Sequence, residues 1–467
     1  MHRKIRLLLF ALLAVSAGCR VADGLSAPKP RETLSVSVRG EPASEPDVLA
    51  TAEPTGVVTL RDALALAVSR SPELGVYPYE LRAADARALQ AGLRPNPELE
   101  IEIEEFAGSG DRSGFDGAET TVRIDQPIEL GGKRARRTRV AELDRELTQW
   151  DYKAARLDVI REATQAFVGV QAAQDRVALA RELLELSRQA HEAVAQRVEA
   201  GRDSPVDELR ASVVLSTSRI ELQKAEKALA AARHALAAVW GGRSAAFDEV
   251  AGDFYEVLPT AVPEDPAGAI AANPDVARWE SQEQRQRAVL QLEKANAVPD
   301  VTIGGGVQRF EETDDSALVL GLGVPIPLFD RNQGGIREAV AELGKSRRQY
   351  EAAQVRTLAA LSEAMGALAA AYDEVTILRN DVLPKAQQAF EAARQGYEQG
   401  KFDYLYILDA QRTLFDTQAQ YVDSVEAYHR ARADVQRLIG EPATASDRNT
   451  SSGSLSEPIS QEYSHEK

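Results

Sequence analysis

The sequence predicts an α+β protein in which long antiparallel α-helical hairpins, packed as coiled coils, carry four β-strands per chain. Three observations predict this fold class. The 467-residue chain contains one unit of about 200 residues twice, longer than any solenoid repeat. Each unit holds a helical pattern far longer than a globular core uses. Each also holds two short segments in which residue character alternates strictly.

The two copies match in the same order along the chain. Residues 71–74 (SPEL) match 273–276 (NPDV) at an offset of 202, and residues 199–202 (EAGR) match 398–401 (EQGK) at an offset of 199. Since the order of matches is preserved, a tandem duplication explains them better than chance does.

Composition divides the chain into five parts. We assign residues 1–18 to a signal peptide, 19–56 to a lipidated and flexible linker, 57–250 to the first repeat, 251–440 to the second repeat, and 441–467 to a disordered tail. The linker and the tail are rich in Ser, Pro, Thr and Glu, a composition that does not support a packed core.

The amino terminus has the features of an export signal. Basic residues precede an apolar run from Leu7 to Ala17, which is too short to span a bilayer core of roughly 30 Å. The single cysteine, Cys19, follows three small residues at the end of this run. The arrangement resembles a bacterial lipobox and implies lipidation of Cys19. The alternative is a plain signal peptide followed by a chance cysteine.

Acidic side chains outnumber basic ones. The 72 Asp and Glu residues against 55 Lys and Arg give a net charge of −17. This balance makes nucleic acid an unsuitable partner, because phosphate binding needs clustered cations. The five His residues are scattered without the spacing of a zinc or copper site, so we expect no resident metal and no cofactor.

Two segments in each repeat alternate as strands with unlike faces. A strand over 98–104 places Leu99, Ile101 and Ile103 on one face. Its other face carries four carboxylates, those of Glu98, Glu100, Glu102 and Glu104. The strand hairpins predicted at 98–128 and 299–326 both show this alternation.

The length and the two faces of these strands favour a membrane location. About 9 to 11 residues suffice for a tilted strand to cross a bilayer, and apolar-out, polar-in alternation is typical of outer-membrane barrels. The alternative is a soluble amphipathic sheet laid on helices. Four strands cannot close a barrel, so the chain must assemble with copies of itself. Two copies would supply eight strands and three would supply twelve.

The helical patterns predict two long hairpins. From Ala135 to Val198 there is no proline and a single glycine, so a continuous helix would reach roughly 95 Å. Apolar residues recur every seven positions along it, as in coiled coils. Pro384 interrupts the equivalent helix of the second repeat and predicts a local bend.

Two strand-closing segments and two glycine turns carry a resemblance to a known family. Segments 126–134 (QPIELGGKR) and 325–334 (PIPLFDRNQG), with turns at Gly201 and Gly400, resemble TolC-type outer-membrane efflux proteins, most of all the CzcC-like heavy-metal branch. The resemblance implies a homotrimer with a twelve-stranded outer-membrane β-barrel and an α-helical periplasmic tunnel. It also implies a passive exit duct for metal cations, with a periplasmic adaptor and an inner-membrane RND-type pump as partners.

The same resemblance implies roles for residues at the helical tips. Asp409 occupies the position of the family's gate aspartate, and Tyr406 stands where a second acid is often found. The adaptor-docking tips are Gly201, Arg202, Asp203, Gly400, Lys401, Phe402 and Asp403. Asp409 as an ordinary surface charge is the alternative, and inter-helix pairs of Asp207 and Asp403 are a second way to hold the aperture shut. The four Glu residues of segment 98–104 would line the barrel lumen.

Three other functions compete with metal export. Drug or protein export fits the same duct. A periplasmic coiled-coil scaffold or adaptor would need no barrel. A surface enzyme on a stalk would need a catalytic cluster, and the sequence has no phosphate-binding loop, no H-E-x-x-H and no G-x-S-x-G motif. We therefore expect no enzymatic activity.

Overall fold

The computed structural model describes residues 53–259 and 265–440. The predicted signal peptide, Cys19, nearly all of the linker 19–56 and the tail 441–467 lie outside the described residues. The helices and strands below therefore belong to the two predicted repeats and the few residues before them.

The first half of the chain opens with short elements and ends with two long helices. The opening elements are β1 (Gly56–Thr59), α1 (Leu60–Arg70), α2 (Pro72–Gly75) and α3 (Tyr77–Ala91). A 3₁₀ turn at Gly110–Arg112 lies between the next two strands. The rest comprises β2 (Glu98–Glu104), β3 (Glu119–Ile128), α4 (Lys133–Glu199), α5 (Pro205–Val239) and β4 (Phe247–Ala251).

The second half repeats the main elements of this plan, the opening helices, the strand pair and the long helical hairpin, and its long helix is interrupted. It begins with α6 (Pro266–Ala271), α7 (Pro274–Asn296), β5 (Val301–Phe310) and β6 (Asp315–Gly323). It ends with α8 (Gln333–Ile377), a π-helical turn (Leu378–Val382), α9 (Leu383–Glu398) and α10 (Tyr404–Ile439).

Two of the helices that open the repeats, α1 and α7, begin at side-chain caps. The Thr59 hydroxyl accepts from the Asp62 amide at 3.3 Å, and the Asp62 carboxylate accepts from the Thr59 amide at 3.2 Å, and the two hydrogen bonds together form a capping box. Ser71 is the N-cap residue of α2, directly before Pro72, but its side chain makes no capping hydrogen bond. Its counterpart Asn273 does cap, accepting from the Asp275 amide at 2.8 Å.

Helix α4 spans 67 residues, which corresponds to roughly 100 Å. It packs against α5, which returns from the tip, and against α3, α7 and α10. Small residues permit the close approach of α4 and α5. The hydroxyl oxygens of Ser187 and Ser218, both buried, lie 2.9 Å apart. The predicted long hairpin is therefore present in the first half.

The second long helix is broken where its proline predicts. Pro384 has no amide hydrogen, and its ring crowds the carbonyl of residue 380, so a regular α-turn cannot continue there. The chain responds with the five-residue π-turn that precedes α9. The two halves therefore differ here, since α4 has no such break.

Four strands form one antiparallel sheet in the order β2-β3-β5-β6. The two predicted strand hairpins meet through β3 and β5, with Val122 opposite Val307 and Ile124 opposite Gly305. Strands β2 and β6 are the edges, and neither has a second partner within the described chain. The sheet is therefore open on both sides.

A second sheet was not predicted. Strands β1 and β4 pair in parallel and raise the strand number from the predicted four to six. Their inward side chains Val58, Phe247 and Val250 join a buried cluster with Phe167 and Trp240. Four- and five-residue strands leave too short an alternation to read from sequence. This sheet fastens the start of the first repeat to its end.

Candidate functional site

The four-stranded sheet carries carboxylates on one face only. Its pairing places the β2 set Glu98, Glu100, Glu102 and Glu104 on the same side as alternate residues of β3. All four side chains are exposed. The β3 residues directly opposite these four are, in the same order, Asp125, Arg123, Thr121 and Glu119. We call this side the acidic face.

One base lies within the acidic face. The Arg123 guanidinium contacts the Glu100 carboxylate at 2.6 Å and the Asp125 carboxylate at 2.9 Å. Within the described residues, Glu98, Glu102 and Glu104 have no basic partner. Sequence reasoning did not single out Arg123 and Asp125, although the alternation of their strand puts both on this face.

Glycines beside this ion pair keep the acidic face free of bulk. A Cβ at Gly304 would overlap the Asp125 carboxylate, and a Cβ at Gly306 would overlap the Val122 carbonyl oxygen and Arg123. The glycines let both charged side chains lie flat across β5. Gly321 has open space instead, with no atom within 4 Å of an added Cβ.

The opposite face of the sheet is apolar and uncovered. The side chains of Leu318, Leu320 and Leu322 on β6 are 86%, 89% and 72% exposed. Leu99, Ile101 and Ile103 on β2 are also exposed. A face of this size and composition is not left to water in soluble proteins. We call it the apolar face.

The two helical tips have the same turn geometry. Gly201 and Gly400 adopt φ of 72° and 69°, a conformation that favours glycine. Each turn closes with two backbone hydrogen bonds of 2.8 to 2.9 Å. In the second tip the Phe402 ring covers Gly396, where a Cβ would overlap it. The predicted turn glycines thus occupy equivalent places in both hairpins.

A polar cluster joins the two tips. Asp203 accepts two hydrogen bonds from the Arg197 guanidinium, at 2.8 and 3.0 Å, and one from the Tyr397 hydroxyl at 2.6 Å. Arg197 also stacks on the Tyr397 ring at 4.5 Å. Asp203 and Arg197 belong to the first hairpin and Tyr397 to the second. We call these three residues the tip lock.

The protonation states of the tip lock suit its hydrogen bonds. The hydrogen bonds from Arg197, above all, lower the pKa of Asp203. Burial and the neighbouring carboxylate raise the pKa of Tyr397, so its hydroxyl keeps the proton it donates. The cluster is therefore a carboxylate held by one cation and one neutral donor, which is a strong arrangement.

The pairing proposed from sequence at these tips needs correction. Asp207 pairs with Arg210 of its own helix at 3.3 Å, so it does not bridge helices. Within the described residues Asp403 has no basic partner. The bridging acid is Asp203, which sequence reasoning placed only among the docking residues. The partner Tyr397, three residues before Gly400, was missed because no spacing pattern links residues 194 positions apart.

Asp409 and Tyr406 lie together on the exposed side of α10. Tyr406 is 61% exposed and packs beside the Phe402 ring. Asp409 lies one turn further along and is exposed, without a basic partner in the described chain. Buried Ile407 and Leu414 mark the opposite, packed side of this helix. Within one chain the two residues form no closed site.

Two features are absent from the described residues. Residues 53–259 and 265–440 contain no group of three or more His, Cys, Asp or Glu side chains arranged to hold a metal ion. None of their helices is long and apolar enough to cross a membrane.

An open sheet with one acidic and one apolar face, continued by two helical hairpins of unusual length, defines the class of outer-membrane channel proteins. The outer membrane efflux protein family model matches residues 63–242 and 266–441. The chain belongs to this family, and it is an outer-membrane efflux channel. This result excludes the soluble scaffold and adaptor alternatives.

Individual relatives agree with the family assignment. The chain is 34% identical to the cobalt-zinc-cadmium resistance protein CzcC of Cupriavidus metallidurans, over 83% of this chain and 91% of that protein. It is 28% identical to the nickel-cobalt-cadmium resistance protein NccC of Alcaligenes xylosoxydans, over 67% and 70%. The crystal structure of CusC superposes with a TM-score of 0.70 over 84% of this chain and 96% of that one, at 19% identity.

Proposed function

We propose that this channel is the exit duct of a tripartite efflux system that exports heavy-metal cations, with a periplasmic adaptor and an inner-membrane RND-type pump as partners. The observation that carries the proposal is that one sheet has the acidic face on one side and the apolar face on the other. The names of the two relatives indicate cobalt, zinc, cadmium and nickel as the class of cargo. The pump, rather than the duct, would select among them.

The open edges of the chain support a homotrimer. Strands β2 and β6 each lack a partner, and in a membrane an unpaired edge leaves backbone groups unsatisfied. Helix α5 makes its extensive helix–helix contact with α4 and leaves an exposed apolar stripe that includes Val206, Leu209 and Val213. Three copies joined edge to edge would close twelve strands above and a ring of helices below. Each chain would thus supply both of the edges, β2 and β6, that meet where two copies join.

The acidic face would then line the exit. In the strands of each chain, the acidic face carries seven carboxylates and one base, Arg123. The carboxylates are the four Glu residues of β2 together with Glu119, Asp125 and Asp315. A pore lined in this way lowers the electrostatic cost of passing a cation. Proteins bind such cations tightly only where several ligands contact the same ion. Carboxylates that are spread singly over the face would therefore bind the cation weakly and let it leave.

The tips would hold the periplasmic entrance closed. In a trimer, three copies of Asp409 would surround the axis, with Tyr406 beside each. The tip lock would hold the two hairpins of each chain together. An adaptor docked at the tips around Gly201–Asp203 and Gly400–Asp403 would open the entrance only by binding the open arrangement more tightly.

Lipidation of Cys19 would add a second attachment to the outer membrane. The residue lies at the end of the predicted export signal. Incorporation of labelled palmitate into the full chain, lost in Cys19→Ser, is the result expected of a lipoprotein. No incorporation would leave a plain signal peptide.

A deletion strain tests the cargo. Removing the gene from its bacterium should lower the tolerated concentrations of cobalt, zinc, cadmium or nickel, and the intact gene should restore them. The negative control is complementation with the Gly306→Ala chain, which should not restore tolerance because the sheet geometry predicts that it does not assemble. Unchanged metal tolerance with reduced tolerance of organic drugs would overturn metal export and favour drug export.

A further inference from the structure

The apolar alternation of β6 continues beyond the end of the strand. The strand ends at Gly323, but the outward series Leu318, Leu320, Leu322 is followed at the same spacing by Val324, Ile326 and Leu328. The last three are 49%, 77% and 64% exposed, and Phe329 after them is 90% exposed. The apolar face therefore extends through a segment that is no longer part of the sheet.

Prolines explain why the strand ends while the pattern persists. Pro325 and Pro327 occupy the alternate positions and have no amide hydrogen to donate to a ladder. The amide of Leu328 donates to the carbonyl of Ile326 at 2.9 Å, so the chain turns at Pro327. We call residues 324–331 the proline turn.

The length of the apolar face requires the proline turn. From Leu318 to Leu322 the chain rises roughly 14 Å, or about 10 Å along the normal of a membrane for a strand tilted by about 40°. An outer-membrane barrel needs an apolar band of about 25 Å. Continuing to Ile326 gives about 21 Å by the same arithmetic, and Leu328 and Phe329 lie beyond it. The strand alone is too short, and the proline turn supplies most of the difference.

Positive charge is concentrated at the same end of the sheet. Residues 129–139 contain five basic and one acidic side chain, a local charge of +4 in a chain of −17. Four of the five are engaged: Lys133 with Asp300, Arg139 with Glu142, and Arg136 and Arg137 with groups of neighbouring segments. Arg134 is exposed, and so is Arg331 of the proline turn. Neither has a carboxylate partner in the described part of the chain.

We propose that the proline turn is a lipid-binding anchor in the periplasmic leaflet of the outer membrane, where Ile326, Leu328 and Phe329 insert among acyl chains and Arg331 meets an anionic phospholipid headgroup. The proposal rests on the proposed function, because it takes the apolar face to be the lipid-facing one. The occupant is a phospholipid because the apolar face continues without a break into the turn. It is an anionic one because the exposed cations Arg331 and Arg134 outnumber Asp330, the single acid of the turn.

Tryptophan placed at three positions tests the anchor. The full-length channel is reconstituted in vesicles whose phospholipids carry brominated acyl chains, which quench nearby indoles. Phe329→Trp reports on the turn, Leu320→Trp on the middle of the apolar face, and Phe402→Trp on the helical tip as a control. The three native Trp residues give a background that is measured on the unsubstituted protein.

The three variants separate the possible failures. We expect quenching at 329 and 320 and none at 402. Quenching at 320 without quenching at 329 would overturn the anchor and leave the channel intact, as when a second copy covers the turn. No quenching at 320 would overturn the membrane-facing sheet itself, and with it the anchor.

A second arm tests the headgroup. With the Phe329→Trp reporter, bromines carried on phosphatidylglycerol should quench more than the same bromines on phosphatidylcholine, with a local enrichment of about fivefold for one basic side chain near the surface. Arg331→Gln should abolish this difference and Arg331→Lys should retain it. If the two lipids quench equally in the Phe329→Trp reporter that retains the native Arg331, the anionic preference is overturned.

Discussion

Removal of one hydroxyl from the tip lock is the sharpest test of the gate. Tyr397→Phe deletes the 2.6 Å hydrogen bond to Asp203 and leaves the ring, which is 7% exposed, in place. A hydrogen bond to a charged group contributes about 1.5 to 3 kcal/mol. Asp203 keeps its two bonds from Arg197, so we take the lower end of that range, about 1.5 kcal/mol per chain.

That loss shifts the balance between closed and open tips by about tenfold in each chain, since about 1.4 kcal/mol corresponds to a factor of ten. Single-channel recording of the reconstituted protein in planar bilayers measures it. We expect the Tyr397→Phe channel to spend at least tenfold more time in high-conductance states. Three chains that release together would give a larger effect.

A matched substitution serves as the control. Tyr421 is also a partly buried tyrosine of the second hairpin, and its ring stacks on Tyr255 far from the tips in sequence. Tyr421→Phe should leave conductance unchanged. If Tyr397→Phe also leaves conductance unchanged, while the protein assembles normally, the tip lock does not hold the entrance and the gating argument fails.

Three further predictions concern the tip lock in acid, the glycines of the sheet, and Asp409. The lock should resist mild acid: the pKa of Asp203 is lowered below its ordinary 3.8, so the carboxylate contact is fully present above that value and is lost as the pH falls through the lowered one. Conductance should therefore be constant from pH 7 to about 5, and opening within that range would contradict it. Gly306→Ala should prevent a heat-stable oligomer on gels, because its Cβ meets the Val122 carbonyl, whereas Gly321→Ala, with open space, should assemble normally. Asp409→Asn should reduce cation over anion permeability in reversal-potential measurements, and an unchanged preference would remove Asp409 from the gate.

Sequence periodicity is sufficient for elements whose pattern is long or strict. The alternation of seven residues in β2 gives both the strand and its two faces, and the absence of proline gives the long α4. Pro384 gives the position of the break in the second hairpin. Periodicity fails for β1 and β4, where four and five residues hold too few alternations to separate a strand from a loop.

The tip lock marks a second limit of sequence reasoning. Its members come from two hairpins, and which side chains meet depends on how α4 and α9 are rotated relative to each other. Rotation of a helix by one residue moves a side chain by about 100°. Duplication gave the equivalence of the two glycine turns, but it gave no information on contacts between them, because those contacts are not repeated.

The difference between the two repeats gives the lock a mechanical meaning. The first hairpin rests on an unbroken 67-residue helix. The second contains the π-turn Leu378–Val382, where the helical hydrogen-bond ladder is already disturbed and bending costs least. The hydrogen bond between Asp203 and Tyr397 therefore joins the tip of the second hairpin, which bends more easily, to the tip of the first hairpin, which bends less. If the proposed gate is correct, releasing this hydrogen bond would let the second hairpin move about its π-turn while the first stays in place. One polar cluster per chain would then suffice to control an entrance lined by both hairpins.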